Sequence, residues 1–279
     1  MPPRSWLFVP ADSEKKITKA LDSEADAIIF DLEDSVTPAM KPVARDLLSR
    51  LPRRDGGPTW WVRINPIGSE FHKDDLELIG LADVHGIVLP KAEGGADVTQ
   101  LAHRTGSIPI HAIVTETAAS LFDLLSYRQP GSPLVAMSWG AEDLSAALGA
   151  SSKHDANGAL SFTYRLARSL CLAGAAAAGV QPVDGVFQDF RDDEGLRREA
   201  EAAAREGFTG KLAIHPAQVS VINAAFTPSA EDVSRAEEIV AAFEAHPDAG
   251  VLAVGGKMID RPHLVQAQRV LESAARQKG

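Results

Sequence analysis

The chain has 279 residues, a formal net charge of -10 at pH 7, 45% hydrophobic residues and 24% charged residues. This length can bury one large hydrophobic core or two smaller ones. Nucleic acids and anionic membranes bind surfaces on which Lys and Arg cluster, so the acidic balance argues against both as partners. The apolar stretch in MPPRSWLFVPADS is too short for a signal peptide, and LCLAGAAAAGV is too short to span a bilayer.

Cysteine usage bears on the compartment. Cys171 is the single cysteine, so no disulfide can form within the chain. A reducing environment suits such a protein, and we expect a cytoplasmic location.

Short apolar runs alternate with longer amphipathic segments along most of the chain. The eight candidate strands are WLFVP, AIIFDLE, WWVRIN, GIVLPKA, HAIVTET, LVAMSWG, VQPVDGV and KLAIHP. The helix-like segments between them are SEKKITKALDS, KPVARDLLSRL, KDDLELIGLA, ADVTQLAHRT, AASLFDLLSY, SFTYRLARSLCLAGAAAAG and EGLRREAEAAAREG. Eight such units favour an α/β fold, a closed (β/α)₈ TIM barrel over residues 1–226. An open doubly wound sheet is the alternative, although no G-x-G-x-x-G follows the first strand.

The chain continues beyond the eighth unit. TPSAEDVSRAEEIVAAFEAH reads as an amphipathic helix with Ser229 as its N-cap. A short apolar segment, a Gly-Gly turn and a last helix follow. We expect residues 227–279 to form a C-terminal helical extension that packs on the barrel rim or on a neighbouring subunit.

Polar residues mark the end of nearly every candidate strand. They are Asp31, Glu33, Arg63, Lys91, Glu116, Asp143, Asp184 and His215. In a barrel these ends converge on one rim, where catalytic loops lie, so the pattern predicts an active site there.

Glu116 and Asp143 end consecutive strands, so their side chains can approach each other. Two neighbouring carboxylates repel unless a cation lies between them, and a hard ion such as Mg²⁺ suits oxygen ligands. Capping of the following helices explains the two acids equally well. Neighbours in an extended chain point to opposite sides, so either Glu142 or Asp143, but not both, would face the ion. Gly140 leaves the amides of this turn open to a substrate carboxylate.

Basic residues suggest anion binding at two further places. Arg63 either binds a planar oxyanion of a substrate or forms a salt bridge to Asp31 or Glu33 on the neighbouring strand. Lys15, Lys16 and Lys19 follow the first strand, where they either steer a phosphate-rich ligand or form a solvated helix face.

Several motifs resemble the citrate lyase β-subunit family, within the group of 2-oxo-acid aldolases and acyl-CoA lyases that includes malyl-CoA lyase. The matching stretches, in chain order, are IIFDLEDSV with KPVAR, VRIN, VLPKAE, VTETA, WGAEDLSAALG, GKLAIHPAQV and GKMIDRPHL. The resemblance covers nearly the whole chain and implies a Mg²⁺-dependent TIM barrel, usually a homotrimer.

The resemblance also implies residue roles. Glu116 and Asp143 would bind the metal, with Glu116 also touching substrate, and Arg63 would bind the substrate oxygens. The amides of Gly140, Ala141 and Glu142 would bind a substrate carboxylate. Asp260 would be the acid/base residue, contributed by an adjacent subunit. The residues implied to face coenzyme A are Lys15, Lys19, His215 and Pro216.

The implied reaction is reversible cleavage of a 3-hydroxyacyl-CoA, of the malyl, citramalyl or citryl type, into a 2-oxo acid and acetyl-CoA. Alternatives are a citrate lyase subunit that needs an acyl-carrier-protein partner, a pyruvate aldolase that acts without CoA, and condensation followed by hydrolysis as in a malate synthase. The residues do not choose among glyoxylate, pyruvate and oxaloacetate.

Overall fold

The computed structural model describes residues 2–52, 56–80 and 82–276. They fall into two compact units, Pro2–Asn223 and a smaller unit that begins at Ala224.

The larger unit is a closed barrel of eight parallel strands, each hydrogen-bonded to the next in chain order, and β8 pairs with β1. The strands are β1 (Ser5–Pro10), β2 (Ala27–Asp31), β3 (Thr59–Arg63), β4 (Gly86–Leu89), β5 (Ile110–Ile113), β6 (Leu134–Ser138), β7 (Gln181–Asp184) and β8 (Gly210–Ala213). Strands covered on both faces need continuous apolar runs, and every residue of β2 is buried. The predicted (β/α)₈ TIM barrel is confirmed.

Helices cover the outside of the barrel strands. They are α1 (Glu14–Leu21), α2 (Lys41–Ser49), α3 (His72–Ile79), α4 (Gly95–Thr105), α5 (Ala141–Ala147), α6 (Phe162–Ala178), α7 (Asp193–Glu206) and α8 (Gln218–Ala225). None of the helices in the described residues is both long and apolar enough to cross a membrane.

Large side chains fill the barrel interior. Trp6 and Trp61 meet edge to face with ring centroids 4.9 Å apart, and apolar residues of the other strands pack around them. His111 lies in the same interior and is fully buried. Burial lowers the pKa of His111 to about 3, so its ring is neutral and belongs to the core.

The segment AASLFDLLSY differs from the sequence prediction, since it forms two 3-10 turns, Ala119–Phe122 and Leu124–Tyr127, instead of an α-helix. Serine hydroxyls compete for the backbone carbonyls here: Ser120 Oγ donates to Thr117 O and Ser126 Oγ donates to Asp123 O. Asp123 has φ -122° and interrupts the helical path between the two turns.

The smaller unit contains α9 (Ala230–Ala245), a hairpin of β9 (Val251–Val254) and β10 (Lys257–Asp260), and α10 (Arg261–Arg276). Ser229 caps α9 in a capping box with Asp232, as its position in the sequence predicts. Gly255 and Gly256 have φ values of 56° and 73°, which suit a tight hairpin turn. Ile239, Phe243 and Ile259 form the core of this unit.

Candidate active site

Arg63 is fixed by the two acids that end and follow β2. The register of β2 and β3 places Asp31 beside Arg63. Arg63 Nε donates to Asp31 Oδ1 over 2.7 Å, Nη2 donates to Asp31 Oδ2 over 2.6 Å, and Nη1 lies 2.9 Å from Glu33 Oε2. The guanidinium also lies over the Phe8 ring, 4.8 Å from its centroid. The salt bridge that the sequence left as one of two alternatives is therefore present, and it leaves part of the guanidinium for a substrate.

The pKa values of the two acids shift in opposite directions. Burial raises the pKa of Asp31, but the Arg63 charge and its hydrogen bonds outweigh burial, so the pKa lies below its ordinary value. For Glu33 burial prevails over Arg63 and Lys91, and its pKa is raised. Asp31 is thus the firm ionic partner of Arg63.

Glu116 and Asp143 both contact Lys91, and the charge of Asp143 acts on Glu116. Glu116 follows β5 and is 4% exposed, whereas Asp143 lies in the first turn of α5 with 30% of its side chain exposed. Burial raises the pKa of Glu116 to about 8, and the charges of Asp143 and Glu33 add to this against the Lys91 N–H and Arg63. A cation bound between the two carboxylates would offset their negative charges.

Lys91 is the residue of this cluster to which the sequence assigned no role. It follows β4; its backbone N–H donates to Glu116 Oε2 over 2.6 Å, and its Nζ lies 3.2 Å from Asp143 Oδ1. The ammonium also pairs with Glu33. The position of Lys91 at a strand end was visible in IVLPK, but its partners depend on the curvature of the barrel.

Gly140 is required by the close approach of Glu116. A Cβ on Gly140 would lie 2.8 Å from Glu116 Cγ and 2.9 Å from Oε1, closer than real Cβ contacts. The indole of Trp139 donates to Asp184 Oδ1 over 2.8 Å and so fixes the turn before α5. Asp184 also binds Lys211 and Arg168 and lies 1% exposed, so it acts here as a structural anion.

Glu142 and Asp143 diverge for a different reason than the sequence suggested. Both lie in the first turn of α5, not in extended chain, so the helix rotation separates them. The Glu142 carboxylate turns to Lys153 and to Gln188, whose Nε2 donates to Oε1 over 2.5 Å. Asp143 is the acid of the pair that meets Lys91 and influences Glu116.

The four residues predicted to face coenzyme A line one surface depression of about 1070 Å³. Lys15 and Lys19 come from α1, and His215 and Pro216 come from the segment between β8 and α8. Its lining also includes the acids Glu14, Asp22 and Glu24. Phe190 stacks on the His215 ring with centroids 4.7 Å apart.

Asp260 ends β10 in the smaller unit, and its side chain is half exposed. The ring of His263 contacts it, with Nδ1 2.5 Å from Asp260 Oδ1. The hydrogen bond to His263 lowers the pKa of Asp260. His263 has no role in the sequence interpretation, although it stands three residues along in the same GKMIDRPH motif.

The donor set fits a hard divalent ion. Mg²⁺ takes one or two carboxylates and fills its other positions with water or substrate oxygens. Glu116 Oε1 accepts no hydrogen bond from any residue that the structure describes. Residues 2–52, 56–80 and 82–276 contain no group of three or more His, Cys, Asp and Glu residues arranged to hold a metal. The carboxylate pair therefore suits Mg²⁺ better than Zn²⁺, which needs more protein ligands.

A closed (β/α)₈ barrel that gathers carboxylates and an arginine at the carboxyl ends of its strands has the arrangement of a TIM-barrel enzyme. Comparison with known proteins narrows this class. Residues 4–216 match the family model described as HpcH/HpaI aldolase/citrate lyase. The chain belongs to this family, and the predicted family resemblance and lyase class are confirmed.

Similar proteins cover nearly the whole chain. A (3S)-malyl-CoA thioesterase of Cereibacter sphaeroides is 37% identical over 277 residues, 98% of this chain and 95% of that protein. The mitochondrial citramalyl-CoA lyase of Mus musculus is 36% identical over 297 residues, 98% and 86% of the two chains. The crystal structure of protein CitE from Mycobacterium tuberculosis with magnesium, acetoacetate and coenzyme A is 38% identical, covers 98% of each chain and gives a TM-score of 0.85.

Proposed function

We propose that the protein is a Mg²⁺-dependent lyase that cleaves, or forms, the carbon–carbon bond of a 3-hydroxyacyl-CoA of the malyl, citramalyl or citryl type. The products of cleavage are a 2-oxo acid and acetyl-CoA. The observation that carries this proposal is that Glu116 and Asp143 meet at Lys91, beside the fixed guanidinium of Arg63. The complex of CitE with magnesium, acetoacetate and coenzyme A supports it.

Glu116 and Asp143 would hold the Mg²⁺ ion. When bound, the ion supplies the Lewis acidity that lowers the pKa of the 3-hydroxyl group. Positive charge placed next to the buried Glu116, whose pKa is about 8, would favour its ionised form.

Arg63 has N–H groups to spare for substrate. Of its five N–H donors, Nε and one on Nη2 bind Asp31, and Nη1 faces Glu33. The remaining donors are held in a fixed plane and can bind an oxygen of the 2-oxo acid. Negative charge develops on the substrate oxygens as the carbon–carbon bond breaks, and a prealigned cation offsets it.

The start of α5 supplies a carboxylate site. Ala141 and Glu142 are the first residues of the helix, so their N–H groups have no partner within it. With Gly140, they would bind the carboxylate of the substrate.

Asp260 is the proposed acid/base residue. Its lowered pKa keeps the carboxylate ionised near neutral pH, which is the form that removes a proton from the methyl carbon of acetyl-CoA in the condensation direction. In the cleavage direction the same group, in its protonated form, would give its proton to the acetyl enolate and become the carboxylate.

The depression lined by Lys15, Lys19, His215 and Pro216 would bind coenzyme A. The two lysines can pair with phosphates, although the three acids in the same lining moderate the local charge. A CoA-dependent rise in unfolding temperature that is lost when both lysines become Ala would support this placement, and an undiminished rise would exclude it.

Thioester hydrolysis is a second candidate, because a (3S)-malyl-CoA thioesterase matches the chain as well as the lyase does. In that case (3S)-malyl-CoA would give malate and free CoA instead of glyoxylate and acetyl-CoA. The two reactions share the acyl-CoA substrate and differ in their products.

A homotrimer in a reducing compartment such as the cytoplasm completes the proposal. Phe122 and Leu125 in the 3-10 turns and Phe162 on α6 are 91%, 71% and 69% exposed, and large exposed apolar side chains of this kind are what a subunit interface would cover. Cys171 is free and buried. Light scattering after size exclusion should give three times the chain mass of 29.7 kDa, and a monomer mass would contradict the trimer.

The function is tested by product analysis. Purified protein is incubated with malyl-CoA, citramalyl-CoA or citryl-CoA, with Mg²⁺ or with a chelator, and the products are read by mass spectrometry. We expect a 2-oxo acid and acetyl-CoA when Mg²⁺ is present, and no products when the chelator is present. Free CoA with a hydroxy acid would favour the thioesterase, activity only with an added acyl-carrier protein would favour a citrate lyase subunit, and chelator-resistant turnover would exclude the metal.

A further inference from the structure

Lys91 touches both proposed metal ligands through different atoms. Its backbone N–H binds Glu116 Oε2 over 2.6 Å, while its ammonium lies 3.2 Å from Asp143 Oδ1. The same ammonium pairs with Glu33 and lies 3.5 Å from Asp34 Oδ2. The Lys91 ammonium therefore contacts three carboxylates, and the Lys91 backbone N–H donates to a fourth.

The backbone conformation does not explain a lysine at this position. Lys91 has φ 50°, and among the described residues it is the one non-glycine residue with a positive φ. Gly or Asn adopts this conformation at lower cost. A bulky residue kept in a strained conformation next to a site points to a function of its side chain.

The charges around Lys91 show what that function is. Arg63 is committed to Asp31 and Glu33 by three close contacts. Within the described part of the chain, Lys91 is the cation within ion-pair distance of Asp143. Without Lys91, the Asp143 carboxylate would lie near Glu116 with no positive partner within ion-pair distance among the described residues.

We propose that Lys91 is the counter-cation of the carboxylate site formed by Glu116 and Asp143. In the metal-free protein its ammonium pairs with Asp143, and it competes with the divalent ion for that carboxylate. This inference rests on the proposed function, since it requires Glu116 and Asp143 to bind metal. Like charges repel, so an ammonium beside Asp143 weakens the binding of a second cation. Loss of the ammonium should therefore strengthen metal binding and weaken the metal-free fold.

Three variants of the full-length protein test this. Lys91→Met removes the charge and keeps the length, Lys91→Gly removes the side chain but keeps the N–H and suits φ 50°, and Lys91→Arg keeps the charge. We expect calorimetry to give a Kd for Mg²⁺ about tenfold lower in the first two variants and close to wild type in Lys91→Arg. Without metal, Lys91→Met should unfold at a lower temperature than wild type, and Mg²⁺ should raise its unfolding temperature more.

The result that overturns the inference is an unchanged or higher Kd in Lys91→Gly, which would make Lys91 an orienting residue or a bystander. Glu116→Gln separates this failure from a failure of the proposed function. If wild type binds Mg²⁺, Glu116→Gln does not, and Lys91→Gly binds like wild type, only the role of Lys91 is wrong. If wild type, Lys91→Met and Lys91→Gly all fail to bind Mg²⁺, the metal site and the inference both fall.

Discussion

Arg63 and Asp31 form a two-point ion pair between neighbouring barrel strands, with N–O distances of 2.7 and 2.6 Å. Asp31 is itself held by the backbone N–H groups of Glu33 and Ser35, at 2.9 and 3.1 Å. Because these backbone N–H groups fix the Asp31 carboxylate, the fold also sets the plane of the Arg63 guanidinium. If Arg63 binds substrate as proposed, the substrate would meet a donor that is already oriented.

Arg63→Lys should lower kcat/KM far more than it lowers stability. A lysine keeps the charge, but its ammonium cannot bind Asp31 at two points and at the same time donate to substrate in a fixed plane. We expect a loss of about 10² to 10³ in kcat/KM in steady-state assays.

Arg4→Lys is the matched control for Arg63→Lys. Arg4 makes the same two-point pair with Asp26, at 2.8 and 2.9 Å, next to the amino ends of β1 and β2. This control should leave kcat/KM unchanged. Equal kinetic losses in the two variants would mean that the fold, and not the orientation of Arg63, had been disturbed.

Glu116 should make the metal-free protein less stable as pH rises. The pKa of Glu116 is about 8 in the folded chain against an ordinary 4.5, so over this interval the folded state keeps a proton that the unfolded state has lost. The free energy of unfolding should then fall by up to about 1.4 kcal/mol per pH unit from this one group.

Chemical denaturation of wild type and Glu116→Gln, both with chelator, measures this contribution as the difference between the two. The variant should lack the decline, and the stability advantage of wild type should be lost as pH rises from 4.5 to 8. Saturating Mg²⁺ should restore the stability of wild type at pH 8 and leave the stability of the variant unchanged. Parallel pH curves for the two proteins would show that Glu116 ionises normally.

Gly140→Ala should disturb Glu116 directly. The added Cβ would lie 2.8 Å from Glu116 Cγ, so the carboxylate or the turn before α5 must move. We expect a loss of about 1 to 3 kcal/mol in stability together with weaker Mg²⁺ binding, measured by denaturation and calorimetry. Gly250→Ala is the control, since nothing lies within 4 Å of its added Cβ. Unaltered Mg²⁺ affinity in Gly140→Ala would show that Glu116 is not a ligand.

Asp260→Asn should slow turnover strongly without harming the fold. The side chain is half exposed, and its side-chain hydrogen bond is to His263 in the next turn. Loss of the acid/base group should reduce kcat by about 10² to 10⁴, with the unfolding temperature and the Kd for Mg²⁺ unchanged. Wild-type turnover in this variant would remove Asp260 from the mechanism.

The barrel was predictable because each of its strands carries a local signal. Runs such as AIIF are apolar throughout, and the polar residue that follows each run marks one rim. The length and position of the runs are therefore enough to predict the barrel. The segment AASLFDLLSY has the same apolar content as a helix, yet serine hydroxyls take its carbonyls and turn it into 3-10 turns. Where β9 and β10 form a hairpin, the sequence predicts only an apolar segment and a turn, since strands of four residues are too short to show a period.

The sequence shows where the candidate site residues lie along the chain better than it shows their contacts. Arg63 ends β3, Glu116 follows β5, and Asp143 lies in the first turn of the helix after β6. The bond from the Lys91 N–H to Glu116 depends on a positive φ and on the spacing of β4 and β5, which no local pattern encodes. The divergence of Glu142 from Asp143 comes from a helix of seven residues, Ala141–Ala147, too short to show amphipathic periodicity.

A comparison of Asp143 with its neighbour Glu142 is the most direct test of the proposed metal site. Asp143→Asn and Glu142→Gln change adjacent acids in the same helical turn, and only Asp143 meets Lys91 and influences Glu116. In a calorimetric titration with Mg²⁺ we expect Asp143→Asn to raise the Kd by at least about tenfold and Glu142→Gln to leave it near wild type. A Kd raised by Glu142→Gln and unchanged by Asp143→Asn would contradict the proposed metal site.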